Sequence, residues 1–131
     1  MCVFCKIIAG EIPAYKVYED ERVLAFLDIT PVHVGHTLVI PKKHVANLEA
    51  IESDDLTALI LAVKKIGKKI KENLAYDGYN VLENNDPVAG QVISHIHFHL
   101  IPRKAGDGLN RWPDNKYAEG EEEDTMNKLK S

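Results

Sequence analysis

The chain has 131 residues, 45% of them apolar and 27% charged, with a net charge of −4. Those figures describe one ordinary globular domain and exclude a disordered or collagen-like chain. They argue against broad nucleic-acid binding, and no apolar run reaches the length of a membrane-spanning helix.

The N-terminal segment, Met1 to Ala9, carries a C-x-x-C pair, Cys2 and Cys5, and an apolar stretch too short for a signal peptide. The expectation is a cytoplasmic protein with reduced thiols. A single C-x-x-C is consistent with zinc, redox chemistry or neither, and no thioredoxin-like strand precedes it. Tyr15 to Tyr18 and Arg22 to Asp28 read as two strands joined by the acidic turn Glu19-Asp20-Glu21. Pro31 to Gly35 reads as a loop, His36 to Ile40 as a buried strand ended by Pro41, and His44 to Ile51 as a short helix or turn.

Ser53 to Leu74 is the clearest helix, since Leu56, Leu59, Ile60, Val63, Ile66, Ile70 and Leu74 recur every three or four residues. Ser53 is its expected N-cap, and its lysines read as a solvated outer face rather than a nucleic-acid patch. Tyr79 to Glu83 reads as a strand, Asn84 to Gly90 as a polar loop, and Gln91 to Ile101 as one long strand. Beyond a domain spanning residues 1–116, residues 117–131 hold five acidic and two basic side chains and read as an acidic, flexible tail.

His95, His97 and His99 alternate with Ile96, Phe98 and Leu100, so a strand places the three histidines on one face. Three readings compete. A merely polar face is an improbable use of three histidines in register. One metal site for all three is strained, because residues four apart on a strand stand about 13 Å apart. The third reading divides the labour among a nucleophile, a phosphate or leaving-group contact and a structural residue. The preceding Gly90-Gln91 loop favours this third reading, since a glycine there lets a ligand approach backbone N–H groups. Arg103 and Lys104, just beyond, read equally as attractors of an anion or as ordinary loop charges.

The segment Gly90-Gln91-Val92-Ile93-Ser94-His95-Ile96-His97-Phe98-His99-Leu100-Ile101 resembles the core of the histidine triad (HIT) family of nucleotide hydrolases and transferases. Phe26-Leu27-Asp28-Ile29 and the run from Gly35 to His44 support the resemblance, which covers roughly residues 2 to 108. It implies an α+β fold: about five antiparallel strands, one long helix and short helices, assembled as a homodimer. It also implies cleavage at the α-phosphate of a purine nucleoside phosphoramidate or dinucleoside polyphosphate, releasing a nucleoside monophosphate.

On that resemblance His97 is the nucleophile, His99 contacts a phosphate oxygen or the departing atom, and His36 is an additional histidine brought near them. Phe26, Asp28, Ile29, Asn84, Gly90, Gln91 and Val92 are implied nucleotide contacts, together with His97 and His99. Val92 departs from the Ser or Thr that many members carry there. Zinc-bearing relatives imply Cys2, Cys5, His44 and His95 as ligands of a structural Zn2+, with no organic cofactor. His33 is left as a loop histidine. Two rivals stand beside the hydrolase: a nucleotide-binding regulatory protein with little catalysis, and a metal-dependent hydrolase that uses the triad as ligands.

Overall fold

The structure, a computed structural model, describes residues 2–109 and 112–131, and every expected site residue lies within that range. The elements are α1 (Val3–Ile8), β1 (Lys16–Glu19), β2 (Val23–Leu27), β3 (Thr37–Pro41), α2 (Ser53–Leu74), β4 (Gly78–Glu83), β5 (Phe98–Arg103) and α3 (Glu121–Lys130). One 3-10 turn, Pro87–Ala89, precedes the histidine segment. The strands form one antiparallel sheet in the order β1-β2-β3-β5-β4. The α+β expectation of five antiparallel strands and one long helix is met.

Helices cover both faces of the sheet centre, which is why β2 and β3 are buried without a polar alternation. Val23, Ala25, Val39, Phe98 and Leu100 pack against Leu59, Val63, Ile66 and Ile70 of α2. Leu24, Phe26, Leu38 and Ile40 turn the other way and pack against Phe4 and Ile7 of α1. His99 pairs across the ladder with Leu38. Its ring therefore shares the α1 face, and the functional site lies there.

The structure corrects three local expectations. First, the strand expected from Gln91 begins only at Phe98. Continuing the β3–β5 register past Val39↔Phe98 would set Pro41 opposite Ile96, and Pro41 has no N–H for the ladder. The Pro41 carbonyl is instead met by the His95 ring at 2.9 Å, and the Ile96 N–H donates to the Val45 carbonyl at 2.8 Å. Second, Ser53 is the first helical residue, while Glu52 holds the extended N-cap position without a side-chain capping bond. Third, α1 was not expected at all. Its signal is the spacing of Phe4, Ile7 and Ile8, with the Cys2 Sγ capping the Cys5 N–H at 3.2 Å. Within the acidic tail, residues Glu121–Lys130 form helix α3, which buries no residue. The segment His44 to Ile51 forms turns and bends rather than a helix. Among the described residues no helix is long and apolar enough to cross a membrane.

Candidate active cleft and metal site

Four ligating side chains converge at the N-terminus of α1. The i,i+3 spacing of Cys2 and Cys5 at the start of a helix sets their Sγ atoms 3.0 Å apart. His44 arrives from the loop after β3 and His95 from the segment before β5. Their Nδ1 atoms are 3.1 Å apart and lie 3.3 to 3.6 Å from the two sulfurs. The four sulfur–nitrogen separations match the roughly 3.3–3.8 Å edges of a tetrahedron whose centre is about 2.0–2.3 Å from each ligand, with the sulfur–sulfur and nitrogen–nitrogen edges somewhat shorter, and the donor set is that of a Cys2His2 zinc site. The His95 Nε2–H donates to the Pro41 carbonyl, which leaves the Nδ1 lone pair turned toward the thiols. Burial holds His95 below its ordinary pKa, keeping the imidazole neutral as a ligand requires. Burial pushes the Cys5 thiol up, so metal binding would have to expel its proton.

Beside this cluster, between α1 and the loop after β2, opens a cleft of about 670 Å3. Its apolar wall includes Phe4, Ile7, Phe26 and Ile93, with the Phe4 and Phe26 rings packed edge to face at 5.6 Å. Asp28, Ile29, Gly90, Val92, His97 and His99 also line it. Phe4 also packs edge-on against His97 and His95, at 5.1 and 5.8 Å. One aromatic ring thus joins the cleft to the metal cluster. Sequence reasoning missed Phe4 and Ile7 because it assigned no helix to residues 3–8.

Hydrogen bonds fix the proton on His97, His36 and His99. The His97 Nδ1–H donates to the His95 carbonyl at 2.8 Å, so Nε2 keeps its lone pair. The Val32 N–H donates to His36 Nδ1 at 3.1 Å, which places the His36 proton on Nε2. That Nε2–H donates to His99 Nδ1 at 2.9 Å, which places the His99 proton on its own Nε2. His97 and His99, with ring centroids 5.0 Å apart, therefore bring a lone pair and an N–H to the same cleft. Asp28, His36 and His99 also approach closely enough to suggest a second metal site. The hydrogen-bond pattern opposes that reading. A metal on His36 Nε2 would move the proton to Nδ1, where it would face the Val32 donor.

Desolvation lowers His36, and it takes His99 down to about 4, with repulsion from His97 and His36 acting in the same direction. In the unfolded chain these histidines titrate near the ordinary imidazole value of about 6.5. As pH falls from about 6.5 towards 4, the unfolded state takes up protons that the folded site refuses, so stability falls across that window. Urea midpoints measured at pH 7.5, 6, 5 and 4.5 should show this loss. His99→Asn should flatten the dependence, and an unchanged slope in that variant would contradict the assignment.

Of the expected contacts, Asn84 and Gln91 are not among the residues that line the cleft. Gln91 uses its side chain to accept from the Asp86 N–H at 2.8 Å and donate to the Ala46 carbonyl at 2.6 Å. Asn84 lies against the turn, where a Cβ on Gly90 would stand 3.3 Å from its Nδ2. Gly90 has φ +99° and closes that turn. The N–H groups of Ala89, Gly90 and Gln91 bond within the loop, so this stretch does not present them to a ligand. Arg103 is likewise engaged, with its guanidinium on Asp107 and Asn80.

Comparison with known proteins places these features in context. The profile described as "HIT domain" matches residues 9–106. The chain is 46% identical over 135 residues to an adenosine 5'-monophosphoramidase of Candida albicans, covering 98% of this chain and 86% of that protein. A crystal structure of a HIT family protein from Bacillus subtilis superposes with a TM-score of 0.91 at 42% identity, covering 98% of this chain and 94% of that one. A zinc-bound histidine triad family protein from Mycobacterium smegmatis matches with a TM-score of 0.80 at 40% identity, over 88% and 84% of the two chains.

Proposed function

This chain belongs to the histidine triad (HIT) family, and from that membership we propose that it is a nucleotidyl hydrolase cleaving a purine nucleoside phosphoramidate. The observation that carries the proposal is the opposed polarity of His97 and His99 in one cleft. The relationship to an adenosine 5'-monophosphoramidase supports the substrate class. A dinucleoside polyphosphate is the second substrate the same chemistry accommodates.

His97 Nε2 attacks the α-phosphorus, forming an N–P bond as the bond to the leaving amine breaks. The His99 Nε2–H bonds a phosphate oxygen or the departing nitrogen, which takes up a proton and leaves as the neutral amine. Water then displaces His97 from phosphorus and gives up the balancing proton, releasing the nucleoside monophosphate and restoring the free imidazole. His36 acts through His99, holding its proton on the cleft side. The nucleoside lies against Phe26 and Ile29, with the Asp28 carboxylate accepting from the ribose hydroxyls. Gly90 and Val92 stand at the phosphate end. Asn84 and Gln91 stand beside the same turn.

Cys2, Cys5, His44 and His95 hold a structural zinc in this reading, supported by their tetrahedral spacing and by the zinc-bound relative. The metal supplies a cross-link between α1 and the sheet. The two free thiols, 3.0 Å apart, suit a reducing compartment such as the cytoplasm. The same reading takes the chain as a homodimer, which light scattering after gel filtration would check.

Incubation with an adenosine phosphoramidate, with acid-quenched samples examined by mass spectrometry, tests the function. We expect AMP release and a transient adenylyl adduct on the peptide that contains His97. Bound AMP with no turnover of either substrate class would favour the nucleotide-binding regulatory reading instead.

A further inference from the structure

The catalytic reading leaves His33 and Arg103 without a part, yet both reach one carboxylate. Asp107 accepts from Arg103 Nε at 2.6 Å and Nη2 at 2.9 Å, and its Oδ2 lies 3.3 Å from His33 Nε2. The backbone N–H groups of Lys104 and Leu109 also donate to it. With only 7% of its side chain exposed, Asp107 is a fixed point rather than a mobile surface charge.

The two partners lie on the two arms of the His36–His99 pair. Arg103 ends β5, the strand that carries His99. His33 sits in the loop between β2 and β3, three residues before His36, and its carbonyl accepts the His36 N–H at 3.0 Å. The residue before His33 is Val32, whose N–H is the donor to His36 Nδ1. The Asp107 carboxylate therefore anchors the turn that supplies that donor. A second anchor acts on the same loop: the Tyr76 hydroxyl donates to the Val34 carbonyl at 2.6 Å. Gly35 has φ +101°, and a Cβ there would stand 2.6 Å from Leu74 Cδ1, so the loop has little freedom to take another path.

We propose that His33 and Asp107 are a positioning pair, which holds the Val32 N–H against His36 Nδ1 and thereby sets the direction of the proton in the His36–His99 relay. A carboxylate only accepts, so the His33 proton is on Nε2 and points at Asp107. If this anchor is lost, the Val32 donor drifts and water can meet Nδ1. His36 then samples both tautomers, and the Nε2–H that orients His99 is present only part of the time. The proposal rests on the reading of His99 as a donor to substrate, but the His36 tautomer is measurable without any substrate.

The test uses zinc-loaded, full-length wild type, His33→Ala and His33→Gln. Nitrogen-15 NMR of the imidazole rings reports which ring nitrogen carries each proton, and adenosine phosphoramidate turnover is measured alongside. In wild type the His36 proton should reside on Nε2. In His33→Ala the signals should show a tautomer mixture, with kcat lowered about tenfold and KM changed by less than about threefold, because Tyr76 still holds part of the loop. His33→Gln, whose amide N–H can reach Asp107, should restore both the tautomer and kcat towards wild type. An unchanged His36 pattern in His33→Ala would overturn the proposal whatever happens to turnover. So would a wild-type His36 proton on Nδ1. A shifted tautomer in a protein that turns over no phosphoramidate would leave the positioning pair standing and remove the substrate reading.

Discussion

Replacing His97 with alanine is expected to lower phosphoramidate turnover by about a thousandfold or more, with the fold and the metal site retained. His97 Nε2 has the lone pair that the proposed displacement needs, while its Nδ1 serves only to bond the His95 carbonyl. His99 lies beside it but presents an N–H, and its own Nδ1 is occupied by His36. It therefore cannot take over as nucleophile without reversing the relay. AMP should still bind, because the apolar wall and Asp28 remain in place. Rapid-quench kinetics and AMP titration by calorimetry separate the two effects. A variant that kept near-normal turnover would exclude His97 as the nucleophile. Retained zinc, measured by elemental mass spectrometry, would separate loss of chemistry from loss of the metal site.

The second large effect concerns the metal cluster. Cys5→Ser, or prolonged chelation, should lower the melting temperature by about 10 °C, corresponding to about 3 kcal/mol at this chain length. Loss of the cross-link frees α1, and Phe4 and Ile7 then contribute less of the roughly 2 kcal/mol that burial of each such side chain supplies. Phe4 also packs against both His97 and Phe26, so the loss should reach the cleft and raise KM about tenfold. Turnover should fall together with stability as the metal leaves. Immediate loss of turnover on chelation, with the melting temperature unchanged, would instead support the metal-dependent hydrolase. The hydrogen bond from Val32 to His36 argues against that outcome, since it turns the His36 proton towards His99 rather than leaving Nε2 open for an ion.

Much of the fold was legible in the chain. The three- to four-residue recurrence from Leu56 to Leu74 marked α2 and its C-terminal limit, while its N-cap is Glu52 rather than the expected Ser53. The apolar runs around Phe26 and Val39 marked β2 and β3, although they could not show that helices cover both faces. β5 was drawn too long, because the alternation of histidine and apolar residues continues where the hydrogen-bond ladder stops. Side-chain periodicity follows from backbone extension, whereas the ladder also needs a partner N–H, and Pro41 has none. Helix α1 escaped because six residues are too few for periodicity to stand out from chance.

The site divides along a similar line. The chain alone identified His95, His97 and His99 as a functional group and marked Cys2 and Cys5 as ligand types, because residue chemistry and short spacing are local properties. Only the resemblance to a known family suggested which histidines complete the metal cluster. Tertiary structure brings Cys2 to His95 across 93 positions and sets Asp28, His36 and His99 together. It also decides the proton on each ring, since the partners that fix it, the Val32 N–H and the carbonyls of Pro41 and His95, are backbone groups common to every residue but for proline's missing N–H. Gln91 and Asp107 show the same limit in opposite directions. Gln91 is turned away from the cleft by two backbone bonds, and Asp107, unremarkable in the chain, gathers His33 and Arg103. Sequence determined which chemical groups were available, because those are covalent. The fold decided which of them meet and with what polarity, because hydrogen-bond direction depends on neighbours that only packing supplies.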